Sequence, residues 1–304
     1  MNKKLIPLFL LLTLGFIWGT GYSIARFAMT HNVPPLGYSF WQSVGPAILI
    51  TLLVSAQARE RKKMSVSHLK YYFICGLTGI VIPNTNMYFS APHLPAGLLA
   101  VIVNTVPILA YPMALLARVE KFDSVRLIGI LFALTGLMLL VVPKTSLPSH
   151  EMIPWILSTL ITPLSFAFCA VYISRYRPKQ SDSLTLSAGT LIAASLILMP
   201  FVLVSGNFYA LHFPFTAPDL VILLEIILSS VGYVLFFQLL KIAGPVYYSL
   251  VDTIVSLTGL FWGFLLFHEK LNGWTASSII LILLALILVT HQQRKAAAAL
   301  FSSS

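Results

Sequence analysis

Val119-Glu120-Lys121-Phe122 and His268-Glu269-Lys270-Leu271 are two short polar breaks, each set between long apolar runs. The first divides the stretch from Pro95 to Val142, the second the stretch from Pro245 to Thr290. Superposing Glu120 on Glu269 brings Val106 opposite Val255, Leu116 opposite Leu265, Ile130 opposite Ile279 and Leu137 opposite Leu286. Leucine and valine coincide readily in apolar sequence, so the Glu-Lys break carries the comparison. Two copies of one pattern, each closing half of the chain, point to an internal duplication. What it means depends on how many membrane crossings separate the copies.

Composition decides the class. Mean hydropathy is +0.90, 58% of residues are hydrophobic and only 9% are charged, against roughly 25% charged in a soluble domain. Apolar runs of about 20 residues recur, each long enough to cross a hydrocarbon core about 30 Å thick. The net charge of +10 does not point to nucleic acid, because the basic residues lie in short segments between apolar runs. Cys75 and Cys169 fall inside such runs and read as free buried thiols. The basic start followed by Leu5 to Trp18 resembles a leader peptide. Without a small-residue cleavage site, and with the apolar run continuing through Met29, it reads as an uncleaved first span.

Ten spans are the economical parse: 5–29, 36–56, 70–90, 95–117, 125–143, 152–174, 184–205, 219–240, 245–267 and 274–291. Val33-Pro34-Pro35, Ala91-Pro92, Gly206-Asn207, Gly244-Pro245 and Asn272-Gly273 mark boundaries. Residues 1–145 then form a first five-helix repeat, 150–293 a second, and 294–304 a short cytoplasmic tail. With the N terminus inside, the cytoplasmic side collects Lys3, Lys4, Arg59, Arg61, Lys62, Lys63, Lys70, Arg118, Lys121, Arg126, Arg175, Arg177, Lys179, Lys241, Arg294 and Lys295. Only Arg26, Lys144 and Lys270 remain for the other side, so both termini are expected in the cytoplasm. Five spans is an odd number, so the second repeat enters the membrane upside down. The expected fold is therefore an all-α membrane protein of ten transmembrane helices, arranged as two inverted-topology five-helix repeats, a construction used by secondary transporters.

Ile17-Trp18-Gly19-Thr20-Gly21-Tyr22, Pro34-Pro35, the two broken helix pairs, and the closing spans Gly129 to Val142 and Ser278 to Thr290 resemble the EamA-like branch of the drug/metabolite transporter superfamily. The resemblance covers nearly the whole chain. It implies two EamA-type repeats, a bacterial inner membrane location and a central cavity opening alternately to either face. It does not specify a substrate, since the family spans amino acids, nucleotide-derived metabolites and drugs. Many members carry an Arg in the second span where this chain has Phe40-Trp41-Gln42-Ser43. Gln42 there removes an anchor for an anionic substrate unless Arg26 replaces it.

Polar groups are expensive in hydrocarbon, so those inside spans form the functional short list. Asp252 shares a helical face with Ser256, Gly259 and Gly263, and Glu225 one with Ser229 and Gly232. Each acid either meets a ligand or proton, or bonds a neighbouring hydroxyl while the glycines pack helices. Arg26, near the outer end of the first span, matches Glu225 in depth, so the two either form a gating ion pair or face the interface separately. Pro83, Asn84 and Asn86, and then Asn104, Thr105, Pro107 and Pro112, break the third and fourth spans. Such breaks line cavities or kink helices for packing. Trp18, Tyr22, Tyr111 and Tyr233 are candidate stacking residues. Trp18, Tyr22, Gln42, Asn84, Asn104, Tyr111, Tyr233 and Asp252 thus make the expected substrate site, with Asp252 and Glu225 as ion-coupling acids.

His268-Glu269 is followed by Asn272 where a zinc-protease motif needs its second histidine, and no Walker-type phosphate loop is present. No metal or cofactor is expected. An intramembrane enzyme needs a nucleophile–base pair at one depth, which the spans do not offer. The reading is a non-enzymatic secondary transporter exporting small metabolites or amino acids through a central cavity, with the bilayer, its solute and protons as partners. An uncoupled carrier is the alternative, and an intramembrane enzyme or a sensor ranks behind it.

Overall fold

The computed structural model describes residues 5–56, 65–118, 120–141, 149–178, 181–248, 250–270 and 272–302. Every regular element among them is helical. In chain order they build α1 (Leu5–Thr30), α2 (Pro35–Ala56), α3 (Val66–Gly76, Leu77–Val81 and Ile82–Ser90 end to end), α4 (Ala96–Val103 and Val106–Leu116) and α5 (Ser124–Val141). The second half builds α6 (Met152–Thr159 and Ile161–Tyr176), α7 (Ser183–Val204), α8 (Ala217–Tyr248), α9 (Val251–Phe267) and α10 (Gly273–Ser302). Six spans are long and apolar enough to cross a membrane by length and composition, and α5, α9 and α10 carry shorter apolar helices. Helices suit such a chain because lipid offers no partner for a free N–H or C=O. Phe9, Leu52, Phe201 and Phe264 face outward, while Arg126, Asp219 and Glu225 are buried. The chain is a multi-pass membrane protein.

The proline breaks show how the backbone is kept satisfied. Pro83 brings no N–H to its turn, and the turn before it widens over Leu77–Val81. Hydroxyls from α6 supply the missing bonds: Ser165 Oγ donates to the Thr78 carbonyl at 2.7 Å and Thr162 Oγ1 to the Pro83 carbonyl at 2.9 Å. The irregular turn thus becomes the seam between α3 and α6. In α4, Asn104 and Thr105 interrupt the helix just before Pro107. Their side chains bond back to the Ala100 and Ile102 carbonyls, both at 2.7 Å.

The two halves are related by one register. The 149-residue offset that superposes Glu120 on Glu269 carries the start of α5 at Ser124 onto the start of α10 at Gly273. Packing follows the same relation. Helices α2 and α7, α4 and α9, and α5 and α10 pack against one another, each with its own counterpart. Unlike helices pair in matched sets: α1–α9 with α6–α4, α1–α8 with α6–α3, and α2–α8 with α7–α3. A two-fold axis requires this exchange, and an odd number of helices per half inverts one relative to the other. At the α5–α10 seam Gly129 lies against Ala285, and Gly136 against Ser278, whose hydroxyl donates to the Gly136 carbonyl at 2.6 Å. The offset carries Gly129 onto Ser278 and Gly136 onto Ala285, so each contact is the image of the other. Small residues here let the two backbones approach closely.

One boundary differs from the sequence reading. The helix does not stop at Gly244-Pro245 but runs to Tyr248, giving α8 32 residues and about 48 Å of length. A proline inside a membrane helix is tolerated when neighbouring groups satisfy the freed backbone. The consequence is that Asp252 falls in the first turn of α9. The segment 294–302, set apart as a tail on sequence, continues α10 as helix. The basic residues Lys3, Lys4, Arg59, Arg61, Lys62, Lys63 and Lys179, Lys144 between the repeats, and Val119 and Leu271 of the breaks lie outside the described residues.

Candidate functional site: a polar chamber between two hairpins

The polar groups meet where α1–α4 of the first half face α8 and α9 of the second. Helices α2 and α3 are laddered together. Tyr38 meets Tyr88 edge-on with ring centroids 4.7 Å apart, Ser39 and Thr85 share a hydroxyl bond of 3.1 Å, and Asn84 Nδ2 donates to Gln42 Oε1 at 3.0 Å. Tyr38 and Gln42 are one turn apart, as are Asn84 and Tyr88, so a tyrosine rung and an amide rung lie side by side. Across the chamber, Asn104 Nδ2 donates to the Tyr22 hydroxyl at 3.1 Å, and Tyr22 lies within electrostatic reach of Asp252. Trp18, one turn before Tyr22, meets Tyr233 edge-on at 6.3 Å and Phe236 at 5.8 Å.

Glu225 is the chamber's buried acid. Its Oε1 accepts from Ser229 Oγ at 2.8 Å, while Oε2 and the Tyr38 hydroxyl are buried without a hydrogen-bond partner. A methyl group added at Gly21 would sit 3.5 Å from Glu225 Oε2, so α1 packs closely against the carboxylate at this glycine. Tyr38, Tyr88 and Tyr233 all lie within electrostatic reach of it. Asp252 and Tyr233 both keep part of their surface accessible.

The two Glu-Lys hairpins flank the chamber. At each one the glutamate N–H returns to the carbonyl six residues earlier: Glu269 to Gly263 at 3.2 Å, Glu120 to Ala114 at 3.4 Å. Their side chains then diverge. Glu269 pairs with Arg26 of α1 and accepts from the N–H groups of Ala96 (2.6 Å) and Gly97 (3.1 Å) at the start of α4. A carboxylate suits that place because the first N–H groups of a helix have no intrahelical partner and carry partial positive charge. The Arg26 guanidinium also lies 4.5 Å from the centroid of the Phe267 ring. Glu120 instead pairs with Arg126 of its own hairpin. Tyr111 fastens that hairpin: its hydroxyl accepts from Asp123 N and donates to the Lys121 carbonyl at 3.1 Å. Arg126 covers the Tyr111 ring at 4.8 Å.

Two copies of the EamA-like transporter family match the chain, over residues 5–142 and 153–291. The chain belongs to that family. Among similar curated proteins, the uncharacterized transporter YoaV of Bacillus subtilis is 22% identical, over 86% of this chain and 88% of its own length. Protein PecM of Dickeya dadantii is 24% identical, over 84% and 83%. The uncharacterized inner membrane transporter YedA of Escherichia coli is 29% identical, over 67% and 65%. A solved crystal structure of another protein, 16% identical, shares the fold with a TM-score of 0.63, over 97% of this chain and 98% of that one.

Within this EamA-like architecture the sequence-derived candidates divide. Trp18, Tyr22, Asn104, Glu225, Tyr233 and Asp252 come together at the chamber, and the Gln42–Asn84 pair forms one rung of its wall. Tyr111 lies elsewhere, committed to the Glu120 hairpin. Arg26 does not pair with Glu225. It binds Glu269, and depth explains why: Arg26 lies four residues, about 6 Å, from the end of α1, whereas Glu225 lies eight residues, about 12 Å, into α8. Glu269, Tyr38 and Tyr88 were missed as working residues. Arg175 was missed too, although the 149-residue offset carries Arg26 directly onto it. Arg175 donates to the Ala117 carbonyl at 3.4 Å, beside the Glu120 hairpin, and makes no ion pair among the described residues.

Proposed function

We propose that this EamA-like protein is a secondary transporter working by alternating access. Its solute binds in the chamber between the inverted halves, and rocking of the halves exposes the chamber to one face and then the other. The observation that carries this reading is the unequal state of two equivalent hairpins. Arg26–Glu269 closes one, tying α1, α4 and the α9–α10 turn into one unit. The images of these residues, Arg175 and Glu120, stand beside the other hairpin unpaired with each other. In the opposite state Glu120 exchanges Arg126 for Arg175, the Arg26–Glu269 lock opens, and the chamber faces the other way.

The distribution of Lys and Arg puts the Glu120 hairpin in the cytoplasm and the Glu269 hairpin outside. In that orientation the present arrangement is closed to the outside, and the protein sits in an inner membrane as an exporter. Uphill transport draws on protons through Glu225 or Asp252, the two acids that reach the chamber. Reconstitution into proteoliposomes tests this. A solute that stabilises the purified protein against heat should accumulate when a pH gradient is imposed, and both Glu225→Gln and Asp252→Asn should be compared with the parent. Loss of accumulation in a variant that still equilibrates the solute identifies the coupling acid. Equilibration without accumulation in the parent makes the protein an uncoupled carrier, and absence of flux removes the transporter reading.

A further inference from the structure

We infer that the chamber selects organic cations: amines or quaternary ammonium compounds with an aromatic or apolar body. This rests on the reading of the chamber as the solute site and names the class of solute. Charge is the first argument. Two carboxylates, Glu225 and Asp252, reach the chamber, and no Lys or Arg among the described residues does. Arg26, the basic residue placed by sequence in this region, is consumed by Glu269. A ligand carboxylate or phosphate would therefore enter beside two acids with no cation to receive it, and an unpaired buried charge is strongly disfavoured. A cation meets an acid whose Oε2 is buried and without a hydrogen-bond partner.

The walls supply the second argument. Tyr38, Tyr88 and Tyr233 lie within electrostatic reach of Glu225, Tyr38 and Tyr88 meet edge-on, and Trp18 stands edge-on to Tyr233. Aromatic faces attract a cation, most strongly where water is excluded. They also bury an apolar body. Tyrosine and tryptophan from α1, α2, α3 and α8 converge on one carboxylate here, so charge and apolar surface are recognised together. Zwitterions fit poorly, since their ammonium end is welcomed and their carboxylate end meets Asp252 and the Gln42–Asn84 amides without a positive partner.

Isothermal titration calorimetry on the full-length protein in detergent tests the inference with defined probes. Tetramethylammonium, benzyltrimethylammonium and tetraphenylphosphonium represent the cations, phenylacetate the anions and phenylalanine the zwitterions. At least one cation should bind saturably, and at least tenfold more tightly than phenylacetate or phenylalanine. Glu225→Gln should weaken that cation at least tenfold, while Glu225→Asp, which keeps the charge, should recover most of the affinity. A melting curve for each variant separates lost binding from lost folding. Phenylacetate or phenylalanine binding as tightly as every cation, no saturable binding of any cation, or a folded Glu225→Gln protein with unchanged affinity would each overturn the inference. Flux in proteoliposomes separates it from the transporter reading. A cation that binds without being moved contradicts transport and leaves the site intact. An anion moved independently of Glu225 contradicts the cation site and leaves transport intact.

Discussion

The Glu269 and Glu120 hairpins hold equivalent places in the two halves and bind different partners. Both return the glutamate N–H to the carbonyl six residues earlier, and both hold a Glu-Lys pair at the tip. One glutamate reaches across the molecule to Arg26 and the start of α4, the other stays at home with Arg126. The shared Glu-Lys motif thus has unequal partners at the two ends. The local sequence is asymmetric too: the images of Arg126, Tyr111 and Ala96 are Thr275, Leu260 and Pro245. Glu120 therefore has a resting partner that Glu269 lacks.

Breaking the closed hairpin should have the largest effect. Glu269→Ala removes the acceptor for Arg26 and for two amides of α4, and deleting one member of so enclosed a pair costs about 3–5 kcal/mol. Hydrogen exchange at Ala96 and Gly97 should accelerate on the order of a hundredfold or more, as that energy implies. Gly263→Ala acts on the same lock sterically. Its new methyl would lie 2.3 Å from Glu269 Oε2, and overpacking of this kind costs about 1–3 kcal/mol. The loss should show as a lowered melting temperature that Glu269→Asp, with its shorter side chain, partly restores.

Arg175 sharpens the comparison differently. It is exposed and makes no ion pair among the described residues, so Arg175→Ala should change stability by less than about 0.5 kcal/mol. The same substitution should slow turnover markedly, because the opposite state loses its lock. An equal loss of melting temperature and turnover would place Arg175 in the resting structure instead. The most local effect belongs to Tyr111→Phe, which frees the Asp123 amide and Lys121 carbonyl at the Glu120 hairpin. That should cost about 1 kcal/mol in a thermal melt and leave solute binding unchanged.

Much of the fold is legible in the sequence because lipid imposes so few solutions. A run of about 20 apolar residues crosses as a helix, prolines at 83 and 107 break their spans where expected, and the offset between Glu120 and Glu269 sets the register of both halves. Within the site the residues at the right depth were legible: Trp18, Tyr22, Asn104 and Glu225 are polar or amphipathic groups inside spans. Their partners were not. Pairing across helices depends on rotation and on depth to within a turn, which Arg26 and Glu225 fail to match. The start of α9 was misplaced for a related reason, since Gly244-Pro245 reads as a boundary while the helix continues to Tyr248. Tyr38 and Tyr88 lie within spans as ordinary tyrosines, and only the packing of α2 on α3 brings them to Glu225.

Access to the chamber from each face tests alternating access most directly. Ser229→Cys, in a chain with Cys75 and Cys169 replaced, puts a single thiol next to Glu225. A membrane-impermeant thiol reagent should modify it from the Glu120 face and not from the Glu269 face. Adding Glu269→Ala should open it to the Glu269 face as well. Modification from the Glu269 face at the same rate with and without Glu269 would contradict a lock at that hairpin, and with it the alternation built on the two.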